Sequence, residues 1–321
     1  GMAGWGEAAT REMPGYSSEY GAGIFLIARD FIAPILLNKD INSGQELQEQ
    51  LQGIKGNYFA KAAFDLAWWD LNAKMQKKPL WEVLGGKQPV VDVGADFGIM
   101  DNVNQLLYEI DKAKDFGYKR IKLKYRPGWE INMLKEVRKR FPDIPLHIDC
   151  NSAYSLKHIE MFKELDNYNL TMIEQPLAHD DLIDHAELQS IIKTPICLDE
   201  SVVSVDKIRK AVKIGACRWL NIKLGRTGGI TNAVKIHDFC EENNIPCWVG
   251  GRSDSTIGSS HNLAFATLSN IKYPSDIFPT SRFFYKDLGP EMIHSGPGEF
   301  TTSSEPGIGV VPDEEYLTKV K

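Results

Sequence analysis

The sequence predicts an α/β protein, a modified (β/α) TIM barrel with an α+β cap domain formed from the two ends of the chain. Short apolar runs alternate with amphipathic helical patterns from about residue 90 onward, which is typical of parallel βα units. Polar residues at the ends of five runs follow one another at steps of 25, 25, 25 and 24 residues: Lys124, Asp149, Glu174, Asp199 and Lys223. A closed barrel produces this rhythm, whereas an open doubly wound sheet does not require such uniform spacing.

The first element is a partial cap at residues 1–88. Apolar residues at helical spacing predict a helix over 58–77, and LWEVLGG predicts a second short helix that ends at glycines. Both helices need a surface to pack against. The length of 321 residues leaves room for such a unit beside one barrel of about 250 residues.

The barrel is predicted over residues 89–288, and a C-terminal segment over 289–321. The strands are predicted from seven runs: VDVGADFG, IKLKY, LHIDCN, LTMIEQP, ICLDES, WLNIKLG and PCWVGG. Helices are predicted between them, for example over 103–116, 131–140, 155–165 and 230–243. The Gly- and Pro-rich final segment predicts turns and edge strands that return over the barrel mouth and to the cap.

Composition and charge argue against several classes of function. The net charge is −6 and the basic residues are scattered among acids, so no basic surface patch that would bind nucleic acid is expected. The sequence contains neither a signal-peptide pattern nor an apolar run long enough for a membrane span. Five cysteines without a CxxC pair predict buried free thiols in a reducing cytoplasm. The expected partner is a small molecule, and assembly into a homo-oligomer is left open.

Three acids end consecutive predicted strands: Asp149, Glu174 and Asp199. Barrel enzymes place their active-site groups at the C-terminal ends of the strands, so these carboxylates are expected to converge. Converging carboxylates repel one another unless a cation neutralises them, and hard oxygen ligands favour Mg²⁺, with Mn²⁺ as the alternative, over Zn²⁺. Each acid alone could equally be a helix cap or a surface ion pair, but the regular repeat favours a metal site.

Lys122 and Lys124 form a K-x-K motif on a predicted strand, so the two-residue period points both side chains into the barrel. Lys223, in NIKLG, has the matching place on a strand about four units further around the barrel. In a partly desolvated mouth beside a divalent cation, the pKa of a lysine is expected to fall, which provides a general base near pH 7. Two lysines would then flank a substrate held on the metal; the alternative for each is a solvated lysine at a strand end.

Other polar residues at the same rim are weaker candidates. Asn151 and Glu200 are candidates to orient the metal ligands through hydrogen bonds, although either could be a helix cap. The segment Gly250–Gly258 has the composition of a loop whose backbone approaches a ligand, with a plain glycine-rich turn into a helix as the alternative. Its candidates for substrate contact are Gly251, Arg252, Ser253 and Asp254.

This set of residues resembles the enolase superfamily, specifically its muconate-lactonizing branch. In that branch a K-x-K strand, an Asp, a Glu and an Asp on the next three strands, and a lysine on the sixth recur. The segments AAFDLAWWDLNAKMQKKPLWEVLGG, IEQP, LDES and NIKLGRTGG extend the resemblance over nearly the whole chain. More narrowly, KLKYRPGWE and PSDIFPTSRFFYKDL are similar to segments of o-succinylbenzoate synthases and their N-acylamino acid racemase relatives.

The resemblance implies three Mg²⁺ ligands, Asp149, Glu174 and Asp199. It also implies acid–base roles for Lys124 and Lys223 on opposite faces of the substrate, with Lys122 as electrostatic support. The leading expectation is a lyase of menaquinone biosynthesis that removes a proton beside a carboxylate and dehydrates a cyclohexadiene carboxylate through an enediolate. N-acylamino acid racemase, dipeptide epimerase and muconate cycloisomerase are same-fold alternatives. A catalytically impaired barrel that acts as a binding protein is an alternative of another class.

Two features depart from the family pattern. Family members usually carry G-G-M-x-E-S on the seventh strand, where this chain has GGRSDS, with a cation at Arg252 and a shorter acid at Asp254. The shape of the substrate pocket is therefore expected to differ. The cap also begins at GWGE, which in relatives follows two strands and a mobile loop. The start of the cap is therefore expected to be absent, and without a lid the activity is expected to be poor.

Overall fold

The computed structural model describes residues 1–319. Its α-helices are α1 (Gly21–Ile27), α2 (Ala33–Leu36), α3 (Gly44–Gln50), α4 (Tyr58–Met75), α5 (Leu80–Val83), α6 (Val103–Phe116), α7 (Ile131–Arg140), α8 (Ile159–Leu165), α9 (Ile183–Ile191), α10 (Val205–Ile214), α11 (Ile230–Glu242), α12 (Thr256–Ala266) and α13 (Glu314–Lys319). A π-helical turn joins α1 to α2. The helices predicted over 103–116 and 131–140 have these bounds in the structure.

The strands are β1 (Val90–Asp92), β2 (Ala95–Phe97), β3 (Ile121–Lys124), β4 (Leu146–Asp149), β5 (Ile173–Glu174), β6 (Ile196–Leu198), β7 (Trp219–Ile222), β8 (Cys247–Val249), β9 (Ile293–Gly296) and β10 (Glu299–Thr301). Seven of them form one parallel sheet in the order β2-β3-β4-β5-β6-β7-β8. Each strand is joined to its neighbour by a helical connection, as βα units require. The α/β prediction is confirmed.

Residues 271–276 close the sheet into a barrel. On one side, Asp276 N donates a hydrogen bond to the Val249 carbonyl of β8 at 2.8 Å. On the other side, Ser275 N donates to the Asp92 carbonyl at 3.0 Å, next to the start of β2. This segment therefore fills the eighth position of the barrel. It was not predicted as a strand because a proline interrupts its short apolar run.

The hairpin of β9 and β10 forms a separate antiparallel sheet with β1. Its turn reaches the N-terminal ends of the barrel strands, because Val93 N donates to the Gly298 carbonyl at 2.9 Å. Gly298 has a φ of +65° and approaches Gly117 so closely that an added Cβ would lie 2.3 Å from the Gly117 carbonyl oxygen. The prediction that edge strands return over the barrel mouth was therefore wrong. The run of turn residues indicates edge strands, but it does not indicate which end of the barrel they cover.

After the hairpin, the chain contacts the cap helices. Leu80 N donates to the Gly307 carbonyl at 2.7 Å, and Asp70 of α4 accepts from Ile308 N at 2.9 Å. Gly307 has a φ of +75°, and an added Cβ would lie 2.2 Å from Asp70 Oδ1, so glycine is required at this contact. The final segment thus ties the cap to the barrel.

Two acids of the cap, one buried and one half-buried, bind the N-termini of barrel helices, and we call their contacts the cap–barrel seam. Asp65 of α4 accepts from Thr231 N, in the first turn of α11, at 3.0 Å. Glu7 accepts from Gly258 N, in the first turn of α12, at 2.8 Å. Carboxylates are favourable at helix N-termini, where backbone N–H groups lack partners. Since α11 and α12 begin after β7 and β8, the seam places the cap at the C-terminal end of the barrel.

The main apolar core lies between the sheet and its surrounding helices, and Ile121, Ile148 and Leu220 are fully buried in it. All five cysteines are buried and unpaired, as predicted. Within residues 1–319, no helix combines the length and the apolar character that crossing a membrane would need.

Candidate active site

The predicted lysines and acids lie together at the C-terminal ends of the barrel strands. Lys124 ends β3 and is paired in register with Asp149, which ends β4. Asp149 is in turn paired with Glu174, which ends β5. Asp199 directly follows β6, and Lys223 directly follows β7. In a ring of eight positions, β3 and β7 are opposite each other, so Lys124 and Lys223 approach the mouth from opposite sides.

Lys122 lies at the centre of an anionic cluster. Its Nζ is 3.0 Å from Asp149 Oδ2, 2.8 Å from Glu174 Oε2 and 3.2 Å from Asp276 Oδ2. The side chain is only 3% exposed. A lysine held by several carboxylates at this depth is a fixed positive charge, and it has little freedom to follow a substrate.

Lys124 is the most open of the three lysines, with a side chain that is 25% exposed. Its Nζ donates to Asp149 Oδ2 at 2.6 Å and to Asn151 Oδ1 at 2.8 Å. Because it reaches the mouth and shares Asp149 with Lys122, it can exchange that contact for one with a bound substrate. This position suits a group that transfers a proton.

Lys223 and Asp199 form the other side of the site. Lys223 Nζ donates to Asp199 Oδ2 at 2.7 Å and lies 3.1 Å from the hydroxyl of Tyr16. The Tyr16 hydroxyl donates to Asp199 at 3.1 Å and accepts from Arg226 Nη1 at 2.8 Å. Arg226 Nη1 also pairs directly with Asp199 Oδ1. A tyrosine from the cap is thereby inserted among the charged groups of the barrel.

The ion pairs shift the pKa of both partners. Burial raises the pKa of the Asp199 carboxyl, but Arg226 and Lys223 outweigh burial and lower it to about 2. Burial lowers the pKa of Lys122 and of Lys223, but the neighbouring carboxylates outweigh burial and raise it. Carboxylates surround each ammonium group, and this rise is the effect of the protein's own groups. The expected fall in lysine pKa applies beside a divalent cation, and it stays a prediction.

The three predicted metal ligands have the donor chemistry for a hard divalent cation. Asp149, Glu174 and Asp199 are all buried, and Glu174 Oε2 makes no hydrogen bond although the Lys122 ammonium lies 2.8 Å away. Such an oxygen has a lone pair free for a cation. The oxygens of the three acids do not all lie within 4.8 Å of one another, and the ammonium groups of Lys122 and Lys223 contact Asp149 and Asp199. The residues fit Mg²⁺ provided that the lysines move aside.

A second group of possible metal ligands lies on the outside of the barrel. His237, Asp238 and Glu241 on α11 bring ligand atoms within 4.8 Å of one another. Asp238 and Glu241 are exposed, and exposed acids at this spacing are common without a bound ion. This group lies on a helix, whereas the lysines lie at the ends of β3 and β7, and it plays no part in the proposed chemistry.

Asn151 and Glu200 support the predicted ligands. Asn151 N donates to Asp149 Oδ1 at 2.9 Å, and Asn151 Nδ2 donates to Glu200 Oε1 at 3.0 Å. Asn151 adopts a φ of +43°, which this short polar side chain tolerates. Burial together with Asp199 and Asp149 raises the pKa of Glu200 to about 8. The pair bridges the two sides of the acid cluster, as a group that orients ligands would.

The predicted loop after β8 also borders the site. An added Cβ at Gly250 would lie 2.6 Å from Lys223 Cε, and one at Gly251 would lie 2.0 Å from the Asp276 carbonyl oxygen. Arg252 lies over the ring of Tyr16, with Cζ 4.0 Å from the ring centroid. Ser253 and Asp254 are half-buried beside Arg252. The Ser253 side chain makes no hydrogen bond within residues 1–319.

Three residues of the site were not identified from the sequence: Tyr16, Arg226 and Asp276. Tyr16 belongs to the cap, more than 180 positions from Asp199 in the chain, so no local pattern links them. Arg226 follows Lys223 within NIKLGRTGG, and Asp276 lies in PSDIF, so both fall in segments that carry the family resemblance. Asp276 pairs with Arg120 as well as Lys122, and this buried network could be found only once residues 271–276 were placed in the barrel.

Comparisons with known proteins agree with this architecture. Residues 105–316 match the family described as "Enolase C-terminal domain-like". Residues 1–85 match "Mandelate racemase / muconate lactonizing enzyme, N-terminal domain". A crystal structure of an enolase superfamily member from Listeria innocua has a TM-score of 0.94 and 39% identity, and the match covers 98% of this chain and 85% of that one. Muconate cycloisomerase from Pseudomonas fluorescens, at 23% identity and a TM-score of 0.91, shares the fold.

At about 40% identity, the relatives with names that state an activity fall into two groups. The o-succinylbenzoate synthase of Geobacillus kaustophilus is 41% identical over 319 residues, which cover 99% of this chain and 85% of the relative. The N-succinylamino acid racemase of Thermus thermophilus is 41% identical over 310 residues, which cover 97% and 84%. Both groups are enolase-superfamily enzymes, and enzymes of this superfamily are typically metal-dependent.

Proposed function

The chain belongs to the mandelate racemase and muconate lactonizing enzyme family of the enolase superfamily, and we propose that it is a lyase of the o-succinylbenzoate synthase type. The substrate is a cyclohexadiene carboxylate that carries a succinyl group, a proton beside its ring carboxylate and a hydroxyl on the neighbouring carbon. The observation that carries the proposal is the placement of Lys124 and Lys223 on opposite sides of the mouth, each on a different buried carboxylate.

Mg²⁺ is the proposed cofactor, with Asp149, Glu174 and Asp199 as its ligands. When bound, the ion supplies positive charge against the negative charge that develops on the reacting carboxylate. Displacement of the lysines from these oxygens would also release them toward the substrate. Lys122 also contacts Asp276, which is not a proposed ligand, and through that contact it would remain beside the site as a positive charge.

In the proposed reaction Lys124, as a neutral amine, takes the proton beside the carboxylate. The electron pair of the broken C–H bond first moves toward the carboxylate and gives an enediolate. It then forms the ring C=C bond as the C–O bond to the neighbouring hydroxyl breaks. Lys124 then gives its proton to the departing hydroxide, so that water leaves and the ring becomes aromatic. Lys223 keeps its proton, and its ammonium group stabilises the negative charge from the other face.

Racemisation of an N-acylamino acid is the second candidate, and it is supported by the same pair of opposed lysines. In that reaction one lysine removes the α-proton and the other returns a proton to the opposite face. A relative with each activity is 41% identical to this chain, so identity does not separate them. The two reactions differ in whether Lys223 must exchange a proton.

The test is to assay the purified protein with Mg²⁺ on the cyclohexadiene precursor and on N-succinylamino acids in D₂O. We expect formation of o-succinylbenzoate, with Lys223→Arg retaining more activity than Lys124→Arg, since a guanidinium group provides charge but no base near neutral pH. Exchange of the α-hydrogen of an N-succinylamino acid, with no dehydration and equal loss in both variants, would establish the racemase instead. Binding of either compound without turnover would favour the binding-protein alternative.

A further inference from the structure

Arg252, which is half-buried at the barrel mouth, differs from the two buried arginines of the barrel. Arg120 and Arg226 each donate to two backbone carbonyls and pair with a buried carboxylate. Arg252 Nε is buried without a hydrogen-bond partner. Within residues 1–319, no carboxylate oxygen lies in the 4.0 Å ion-pair range of its guanidinium group. A partly buried cation whose buried N–H group has no acceptor is unfavourable, so an anion that binds Arg252 would stabilise it.

The nearest acid in sequence does not serve Arg252. Asp254 Oδ2 accepts from the backbone N of Arg252 at 2.7 Å and from Asn262 Nδ2 at 3.2 Å. The Asp254 carboxylate is thus used to shape the loop after β8. Burial lowers the pKa of Arg252, and the more distant charges of Asp199 and Asp254 offset this only in part.

The guanidinium group is nevertheless held in place. Its Cζ lies 4.0 Å from the centroid of the Tyr16 ring, and the same ring lies 4.6 Å from Lys223 Nζ. Contact with an aromatic face leaves the N–H groups in the plane of a guanidinium free to bind a carboxylate in a two-pronged way. A cavity of about 20 Å³, room for about one water, lies between Lys223, Gly250 and Arg252.

The position of Arg252 determines which part of a substrate can reach it. It follows β8, one strand beyond Lys223 and on the far side of Lys223 from the acids on β4 to β6. A substrate with its reacting carboxylate at these acids has its α-carbon between Lys124 and Lys223. Only a group that extends several bonds past Lys223 would meet Arg252.

We propose that Arg252 binds a second substrate carboxylate, the one at the far end of the succinyl chain. This inference rests on the proposed function, because it takes the orientation of the substrate from that reaction. Arg252 is then the residue that makes this chain select succinyl compounds over acyl compounds that end in a methyl group. The free N–H groups of a guanidinium already positioned on Tyr16 match the geometry of such a carboxylate.

The experiment compares two probes by calorimetry, in buffer with Mg²⁺ at fixed ionic strength. One probe is o-succinylbenzoate, and the other is 2-butyrylbenzoate, which has a methyl group where the distal carboxylate stands. We expect Arg252→Met, which retains the bulk and removes the charge, to weaken o-succinylbenzoate binding by roughly 10- to 100-fold and to leave 2-butyrylbenzoate unchanged. Arg252→Lys should fall between the two, because an ammonium group lacks the two-pronged geometry. Arg209→Met, at an exposed ion pair on α10, is the matched control and should change neither affinity.

Three results would overturn the proposal: no preference of the wild-type protein for the dicarboxylate, an equal loss of both probes in Arg252→Met, or no loss of either. The equal loss would mean that Arg252 only supports the loop. These outcomes differ from failure of the proposed function. If the wild-type protein does not dehydrate the precursor but Arg252 still sets the preference for the succinyl probe, the binding site stands and the reaction assignment falls. If Arg252→Met dehydrates the precursor with an unchanged KM, the reaction stands and the binding site falls.

Discussion

The barrel mouth and the cap–barrel seam both bury carboxylates, but the pKa of a buried carboxyl is lowered at the mouth and raised at the seam. Asp199 at the mouth and Asp65 at the seam are each fully buried. Cations lower the pKa of Asp199 to about 2, whereas burial raises the pKa of Asp65 to about 6 and its hydrogen-bond partners carry no charge. Equal burial therefore gives opposite chemistry, and the difference is the presence of an adjacent cation.

This difference in pKa corresponds to a difference in role between the carboxylates of the mouth and those of the seam. At the mouth, ionised carboxylates remain available to a metal ion because lysines and an arginine already compensate their charge. At the seam, the carboxylates satisfy the N-termini of barrel helices and so fix the cap over the site. Changes at the mouth should therefore affect turnover and metal binding, while changes at the seam should affect stability.

The largest expected effect is at Lys124. Lys124→Ala should lower kcat by roughly 10³- to 10⁴-fold, because the group that transfers the proton is lost. The side chain is 25% exposed, so the free energy of unfolding should change by less than about 1 kcal/mol. Steady-state kinetics and urea unfolding measure the two quantities. An exposed control, Lys157→Ala, should change neither, and near-normal kcat in Lys124→Ala would assign the base to another residue.

Glu174→Gln should weaken Mg²⁺ binding by about 100-fold, because an amide is a poorer ligand for a hard cation than a carboxylate. Titration calorimetry with MgCl₂ alone measures this affinity without requiring turnover. A matching substitution at the seam, Asp65→Asn, should leave the Mg²⁺ affinity at its wild-type value. If Glu174→Gln binds Mg²⁺ as tightly as the wild-type protein, the predicted ligand set must be revised.

The two regions were not equally predictable from the sequence. At the mouth, the acids and lysines end strands at a regular repeat, so Asp149 and Lys223 could be placed from periodicity and barrel geometry alone. Helix bounds such as those of α6 also follow from amphipathic spacing and from caps such as Asn102, which accepts from Gln105 N at 3.0 Å.

Contacts between distant segments could not be predicted. Tyr16 and Glu7 reach the barrel from the cap, and their partners are fixed only by how the cap docks. Asp276 lies on a barrel position that contains a proline, which a periodicity search passes over. The rise in lysine pKa that the neighbouring carboxylates cause depends on distances of 2.7 to 3.2 Å, which the sequence does not contain.

At the seam, Asp65→Ala should lower the free energy of unfolding by roughly 1–3 kcal/mol. The substitution leaves two donors without their acceptor, Thr231 N and Gln48 Nε2, which lie 3.0 and 2.8 Å from the carboxylate. Urea unfolding measures the loss, and kcat at 25 °C should remain within about 3-fold of wild type because the mouth is unchanged. Asp143→Ala, at an exposed position, is the control for charge removal. A large fall in kcat with unchanged stability would mean that the seam takes part in the chemistry.

The smallest expected effect is the pH dependence that Glu7 gives to stability. Burial, with the nearby charge of Asp254, raises the pKa of Glu7 from 4.5 to about 7. A group whose pKa is raised on folding binds its proton more tightly in the folded state. Its contribution to stability is therefore complete below pH 4.5 and is lost as the pH rises through about 7.

Between pH 6 and pH 8 the loss due to Glu7 should be about 1 kcal/mol. Glu7→Gln cannot ionise, so its unfolding free energy should fall less over that interval. The amide also presents N–H groups to the donors of Ser255 and Gly258, so Glu7→Gln should be less stable than wild type at pH 6. The decisive quantity is therefore the change in unfolding free energy with pH, and not its absolute value.

Glu160→Gln, at an exposed helix position, should keep the wild-type slope of unfolding free energy against pH. Parallel pH profiles for Glu7→Gln and wild type would mean that the Glu7 carboxylate is already ionised at pH 6, and the contrast between the seam and the mouth would then rest on Asp65 alone.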